Sequence, residues 1–441
     1  MCCEMRPRFG FGSTARRRIW PALCSSAKKL HVAVPPAPLV ARKKSKVIVI
    51  SGPTGAGKSR LALEVARRLG GEIVSADSVQ VYRGLDIGSA KPSVEERSLV
   101  PHHLIDIMHP SEDYSAGTFF DDARGATQDV LDRGRVPVVA GGTGLYLRWF
   151  MYGKPDVPRS SVEISSSVRS ELAGLRWEDA VELVLQAGDP KARDLDTNNW
   201  VRLSRRLEII RSSGSPPSAF ALPYSSFQEQ QHGTKLTDSP MDCQVKELDY
   251  DFLCIFLACP RVELYRSIDL RCEEMLADTG RGLLSEASWL LDIGLQPNMD
   301  SASRAMGYSA SRAIGYRQTM EYLLQCRENG GNSSPQEFLE FLAKFQQTSR
   351  NFSKRQMTWF RNEKIYQWVD ASQPFEAIVQ FICDAYNGVE EMVVPESLEM
   401  KRESCVHKSN DLKTYRSENR LFLGEEDCRQ VLDWIRRTQG K

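Results

Sequence analysis

At 441 residues, with 41% hydrophobic and 26% charged side chains, the chain is long enough for one large core or two modest ones and reads as globular. A formal net charge of +1 excludes a protein-wide basic field, so a nucleic-acid partner would have to meet a local patch. No apolar run approaches the roughly 18 residues of a membrane span, and the eleven cysteines lack framework spacing, which implies reduced thiols in an intracellular or organellar compartment.

Residues 1–45 stand apart. The first 46 residues carry eleven Lys or Arg against the single acid Glu4, with Arg16, Arg17 and Arg18 adjacent, a balance expected of an organellar transit peptide. A basic nucleic-acid-binding arm is the rival, but the segment stops where the first strand begins. Plastid is the expected destination, with the mitochondrion as the alternative.

The apolar run at 47–50 then leads into Gly52-Pro53-Thr54-Gly55-Ala56-Gly57-Lys58-Ser59, followed directly by a helical pattern. That is the strand, loop and helix context of a phosphate-binding P-loop: glycines let backbone N–H groups converge on phosphate oxygens, Lys58 supplies a charge and Ser59 a hydroxyl for Mg²⁺. Leu61, Ala62, Val65, Ala66 and Leu69 recur at helical spacing, and Gly70-Gly71 stops the helix. Residues 72–76 read as a second strand, 118–133 as a helix, 136–140 as a buried strand and 252–258 as another. Strands alternating with helices predict a doubly wound parallel sheet of the P-loop NTPase type, with its core at 46–150 completed by 251–370.

The intervening 151–250 reads as a helical insertion containing a mobile loop at 213–248, rich in Ser, Pro, Gln and Gly. Inside it, Arg202, Arg205 and Arg206 share one side of a helix. Farther on, Arg350, Lys354 and Arg361 form a basic stripe interleaved with aromatic residues. A solvated charged face is the plain account of such a stripe. Residues 371–441 read as a charged tail with one short helix near Val431, and no function is assigned to it.

Three features bear on chemistry. Asp77 falls at a strand end opposite the P-loop, where it could accept a proton or merely cap a helix. Thr143 sits on a glycine-flexed turn at the same sheet edge. No hydrophobic strand ends in an acidic pair of the Walker B kind, so phosphate binding without a hydrolytic apparatus favours a reaction in which diphosphate leaves.

In order, GPTGAGKS (52–59), SADSVQVYRGLDIGSAKP (75–92), HHLIDI (102–107), VVAGGTGLYL (138–147), AIGYRQ (313–318) and SKRQMTWFR (353–361) resemble the successive motifs of tRNA dimethylallyltransferases. The resemblance runs from about residue 46 to 368. It implies transfer of a dimethylallyl group from dimethylallyl diphosphate to N6 of adenosine 37, beside the anticodon of a tRNA, by an enzyme expected to be a monomer with Mg²⁺ as its cofactor.

The same resemblance assigns the diphosphate to Gly52, Pro53, Thr54, Gly55, Ala56, Gly57, Lys58 and Ser59, the last with Mg²⁺, and a second cation to Arg317. Asp77 would be the base at N6 and Thr143 would hold the leaving group's bridging oxygen. Contacts to the tRNA anticodon stem-loop would fall to Asp77, Ser78, Val79, Gln80, Thr143, Arg169, Val201, Arg202, Leu203, Ser204 and Arg205, with Arg350, Lys354 and Arg361 following phosphates. Two departures stand out: the tail's Cys405, His407 and Cys428 lack the paired spacing of the zinc finger found in eukaryotic cytosolic members, and Trp200-Val201-Arg202 replaces the usual Pro-Gln-Arg. The chain thus resembles the bacterial form and the plastid-type plant branch.

An adenylate isopentenyltransferase acting on free AMP, ADP or ATP is the nearest rival. The large insertion and the SKRQMTWFR helix stand against it, because a mononucleotide requires neither. A small-molecule kinase and a non-catalytic RNA-binding protein with a relic P-loop are the rivals from other classes.

Overall fold

The strand Lys46–Ser51 (β1) is apolar and β-branched from Val47 through Ile50, between Lys46 and Ser51 at its ends, a composition suited to burial on both faces. The computed structural model describes residues 44–220, 248–297, 309–388, 393–400 and 415–440. The expected transit peptide lies outside these residues, apart from 44 and 45, as does most of the segment read as a mobile loop.

Around β1 the chain builds a six-stranded, wholly parallel sheet from Glu72–Ser75 (β2), His102–His103 (β3), Pro137–Ala140 (β4), Asp251–Ala258 (β5) and Gln367–Asp370 (β6), in the order β3-β2-β4-β1-β5-β6. The expected strands at 72–76, 136–140 and 252–258 each fall within one residue of those observed. In register, Ile48 lies opposite Val138 on one side and Leu253 on the other.

Side chains alternate across the sheet, so the two faces feed two cores. Val47, Val49, Cys254 and Phe256 enter one, and Ile48, Ile50, Leu253 and Ile255 enter the other. The helix Lys58–Leu69 (α1) closes the second core with Leu61, Ala62, Val65 and Ala66, joined there by Ile378, Val379 and Ile382 of the helix Phe375–Asn387. The first core is covered by Ala116–Asp132, Gly144–Tyr152 and a layer of C-terminal helices that includes Arg261–Ala277, Leu283–Asp292, Tyr316–Glu328 and Pro335–Arg361. This is the expected doubly wound P-loop architecture.

The described part of the insertion is mainly helical, as its composition indicated, and has a core of its own. Val168 and Leu172 from Val162–Leu172, Ala180 and Val184 from Trp177–Gln186, and Trp200, Leu203 and Leu207 from Trp200–Ser213 pack together. Trp200 lies edge-on to Trp177 with ring centroids 5.3 Å apart, so the departure at this position supplies core volume.

The tail is more structured than its charge suggested. Helix Glu425–Gln439 buries Cys428, Val431 and Ile435 against the C-terminal layer, and residues 415–422 strap Arg261–Ala277 to Pro335–Arg361. Within that strap the fully buried Glu273 carboxylate accepts from the backbone N–H groups of Arg420 (2.9 Å), Leu421 (2.7 Å) and Phe422 (3.2 Å). The Tyr415 hydroxyl donates to Asp269 at 2.8 Å, and the Arg350 guanidinium reaches both Asp269 and Ser417.

Hydrogen bonds to a charged acceptor contribute about 1.5–3 kcal/mol, so Glu273→Gln should lower unfolding stability by about that amount, read as a shifted urea midpoint. An unchanged midpoint would refute the strap as a stabilising element.

Candidate active site

The site is assembled where three strands end. After β1 the P-loop turns so tightly past β5 that a methyl group at Gly52 would collide with the Leu257 carbonyl oxygen, and Gly57, at φ 87, opens α1. After β2 comes Asp77. After β4 comes Gly141, where a methyl group would strike the Ala76 carbonyl oxygen, and then Thr143. Close packing of these three turns brings Thr54, Asp77 and Thr143 to the wall of one cavity of about 480 Å³. The carboxyl ends of parallel strands are where such sheets place ligands.

A single side chain ties two of the turns together. Gln356, buried on Pro335–Arg361, accepts from the Thr54 N–H at 2.9 Å and donates to the Gly142 carbonyl at 3.0 Å. The P-loop is also held by Ser267, which donates to the Gly55 carbonyl at 3.0 Å, and by Lys58, whose ammonium donates to the Pro53 carbonyl at 2.9 Å.

The electrostatics point to an anion. Burial, reinforced by Arg271, lowers the Lys58 ammonium from its ordinary 10.5 to about 8, with Asp77 acting in the opposite direction. Burial likewise lowers the Arg271 guanidinium, which donates to the Thr54 hydroxyl at 2.6 Å. Arg271, Arg312 and Arg355 line the cavity, whereas Lys58 and Ser59 are not among its lining residues, and Ile268, Met275, Phe345 and Phe352 give it an apolar wall. One compartment thus offers cations, a carboxylate and an oily surface.

No helix directly follows Asp77, which fixes a tight turn instead of capping a helix. Its Oδ1 accepts from the Val79 N–H at 2.8 Å and the Gln80 N–H at 3.4 Å, fixing the turn, while Oδ2 has no partner among the described residues. Thr143 begins Gly144–Tyr152 with a hydroxyl that caps nothing there. Ser78 and Val79 line the cavity, but the Gln80 side chain turns inward, accepting from Ser75 at 2.8 Å and donating to the Ser89 and Ala90 carbonyls.

Other expected residues lie apart from the cavity. Arg317 is not among its lining residues and faces Glu321 at 3.7 Å; the cations that do line it are Arg271, Arg312 and Arg355. Leu203 is fully buried in the insertion core, so its side chain cannot meet RNA, and the Ser204 hydroxyl bonds back to the Val201 carbonyl. Arg350 is consumed by Asp269 and Ser417 and drops out of the basic stripe. Val201, Arg202, Arg205 and Lys354 are exposed, whereas Arg361 is half-buried. Arg205 bonds Glu208 and Ser160, and Arg169 pairs with Asp113 at 2.6 Å.

Sequence reasoning missed Arg271, Arg312, Arg355 and Gln356. The last two stand inside SKRQMTWFR, where reading only positions 350, 354 and 361 passed over the neighbouring face.

Ser59 is exposed on the first turn of α1, and no cluster of three or more His, Cys, Asp or Glu suited to a metal occurs among the described residues. A hydroxyl beside a phosphate cradle fits Mg²⁺ bound mainly through substrate oxygens and water.

A parallel sheet whose P-loop, aspartate turn and threonine turn meet at one cation-lined cavity defines a P-loop α/β protein built to hold a phosphorylated ligand. Comparison with known proteins gives the family: the IPP transferase model matches residues 80–363 and the isopentenyl transferase model residues 45–103. The chain is 59% identical over 409 residues to tRNA dimethylallyltransferase 9 of Arabidopsis thaliana, covering 89% of this chain and 86% of that one. It is 38% identical over 329 residues to a tRNA dimethylallyltransferase of Protochlamydia amoebophila, covering 75% and 85%. The solved tRNA isopentenylpyrophosphate transferase of Bacillus halodurans aligns at TM-score 0.50 and 30% identity over 78% of this chain and 97% of that one. A eukaryotic dimethylallyltransferase solved acting on tRNA shares the fold at TM-score 0.55 and 23% identity, over 89% and 85%. The chain belongs to the tRNA dimethylallyltransferase family.

Because Lys58 is lowered to about 8 before any diphosphate arrives, even with Asp77 nearby, binding diphosphate at about pH 9 should draw in close to one proton, and affinity should fall as pH rises above 8. Calorimetry in two buffers of different ionisation heat checks this; identical heats would refute it.

Proposed function

We propose that the chain transfers the dimethylallyl group of dimethylallyl diphosphate to N6 of adenosine 37 in tRNA, releasing diphosphate. The observation that carries the reading is the shared cavity of Asp77, Thr143, the P-loop Thr54 and Arg271. N6 forms a bond to the allylic carbon as the bond from that carbon to the bridging oxygen breaks. Asp77 hydrogen-bonds the amine and takes its proton. Lys58 and Arg271 meet the charge growing on diphosphate, and Thr143 donates to its bridging oxygen. Ile268, Met275 and Phe345 supply surface for the five-carbon chain.

Mg²⁺, held by Ser59 and the diphosphate oxygens, would neutralise part of the leaving group's charge. The adenine must leave its stack in the anticodon loop to reach Asp77, and exposed Val201, Arg202 and Lys354 offer surfaces for the surrounding RNA. The free-nucleotide alternative is not favoured, because AMP would leave both the insertion and the basic end of Pro335–Arg361 without a role. We further propose a monomeric plastid enzyme, on the composition of residues 1–45, whose product, when tRNA is degraded, is a source of prenylated adenine cytokinins.

Labelled dimethylallyl diphosphate supplied with tRNA or with AMP tests the reaction: label is expected in tRNA, and label confined to AMP overturns the reading. Asp77→Asn should lose at least ~10²-fold in turnover, as expected for removing a positioned proton acceptor. Lys354→Ala should weaken tRNA binding and reduce its salt dependence by about one phosphate contact. A changed rate at saturating tRNA with unchanged affinity would remove Lys354 from the phosphate path. Import of the full chain into isolated plastids, compared with a chain lacking residues 1–45, tests the location.

A further inference from the structure

The turn at residues 86–89 borders the active cavity through Gly88 and Ser89, beside Asp77, Ser78 and Val79. Its backbone is held from below by one carboxylate. Glu286, on Leu283–Asp292 and only 9% exposed, accepts from the N–H of Asp86 at 2.8 Å and of Ile87 at 2.7 Å through Oε1. Through Oε2 it accepts from the N–H of Gly88 at 3.0 Å and from the Tyr316 hydroxyl at 2.7 Å. Three successive backbone donors converging on a point make an anion-binding concavity, and here the protein fills it with its own anion.

Tyr316 contributes shape as well as a hydroxyl. A methyl group at Gly88 would collide with both its ring and Leu283, so the turn rests directly on these side chains. From the other side Gln80 donates to the Ser89 and Ala90 carbonyls, and Lys91 donates to the Tyr82 carbonyl at 2.5 Å. Neither Glu286 nor Tyr316 lines the cavity. They touch the turn, and the turn touches the space beside Asp77.

We propose that Glu286 and Tyr316 are positioning residues for the base-accepting side of the cavity: they fix the turn at 86–89 so that the purine entering beside Asp77 meets a wall at one set distance. The inference rests on the tRNA prenylation reading, because only a substrate seated against Asp77 would feel this wall. The diphosphate side is built from different residues, Thr54, Lys58 and Arg271, and Glu286 and Tyr316 make no hydrogen bond to them among the described residues. A loosened wall therefore slows attack by a misplaced amine while leaving diphosphate binding as it was.

The test uses full-length protein with Tyr316→Phe, which removes one hydroxyl, and Glu286→Gln, which keeps the shape but can no longer accept on both sides. With an anticodon stem-loop and dimethylallyl diphosphate, each variant should lose about 10-fold in kcat or raise the KM for RNA by a similar factor, a fraction of what gross misplacement costs. The KM for dimethylallyl diphosphate should stay within twofold of wild type, and the double variant should be no worse than the weaker single, since both act through one turn. Wild-type kinetics in Tyr316→Phe and Glu286→Gln would overturn the inference, as would an equal rise in KM for both substrates, which marks general loosening. If Glu286→Gln fails to fold, Tyr316→Phe alone decides. Wild-type protein in the same assay separates the two readings: no label in RNA from wild type means the function is wrong, whereas active wild type with indifferent variants means only the positioning role is wrong.

Discussion

The constraint on which the structure depends is the enclosure of half-buried Lys58 close to half-buried Arg271, with the Asp77 carboxylate as the counter-charge near both. Two cations drawn partly out of water together lose hydration and, to a lesser degree, repel each other, which is why the ammonium falls to about 8. A fold tolerates that arrangement when an anion is to be received there and the surroundings prevent the charges from moving apart. The tether from Gln356 to the P-loop and to Gly142, and the bond from Arg271 to Thr54, are what prevent it. Preorganised charge of this kind favours a state in which negative charge develops on a leaving group, since the protein has no reorganisation left to do when the bond breaks.

Much of this was legible in order along the chain. The P-loop, the strand ends carrying Asp77 and Thr143, and the helical insertion follow from local patterns: a β-branched run before a glycine loop, apolar spacing of three and four, and turn residues after short strands. What the sequence withheld were contacts made across long separations. Nothing local marks Arg271, because its partner Thr54 lies on the far side of the insertion and its helix also buries the acids Asp269 and Glu273. The same limit misplaced Arg350. Its spacing from Lys354 and Arg361 is that of a basic stripe, but a stripe on a helix faces solvent only if no other segment covers it, and residues 415–422 do.

Leu203 and Arg317 show a second limit, that of transferring roles by position. Leu203 stands in the segment expected to meet RNA, yet the insertion needs its side chain to fill a small core with Trp200 and Leu207. Arg317 follows Tyr316 in AIGYRQ, and of these two neighbours it is the tyrosine that reaches toward the cavity, through Glu286. The insertion keeps its own core, so its exposed Val201 and Arg202 can vary without disturbing the sheet; the turns around the P-loop have no such freedom.

The strap at 415–422 also sets an order of events. The sheet is complete at Asp370, and Asp269 already has Arg350 by then, but the buried Glu273 finds its backbone donors only when residues far beyond the last strand have emerged. During synthesis, the helix bearing Arg271 must therefore wait with one acid still lacking its final donors. The chamber's wall is finished late, by a stretch of chain that never touches the substrate.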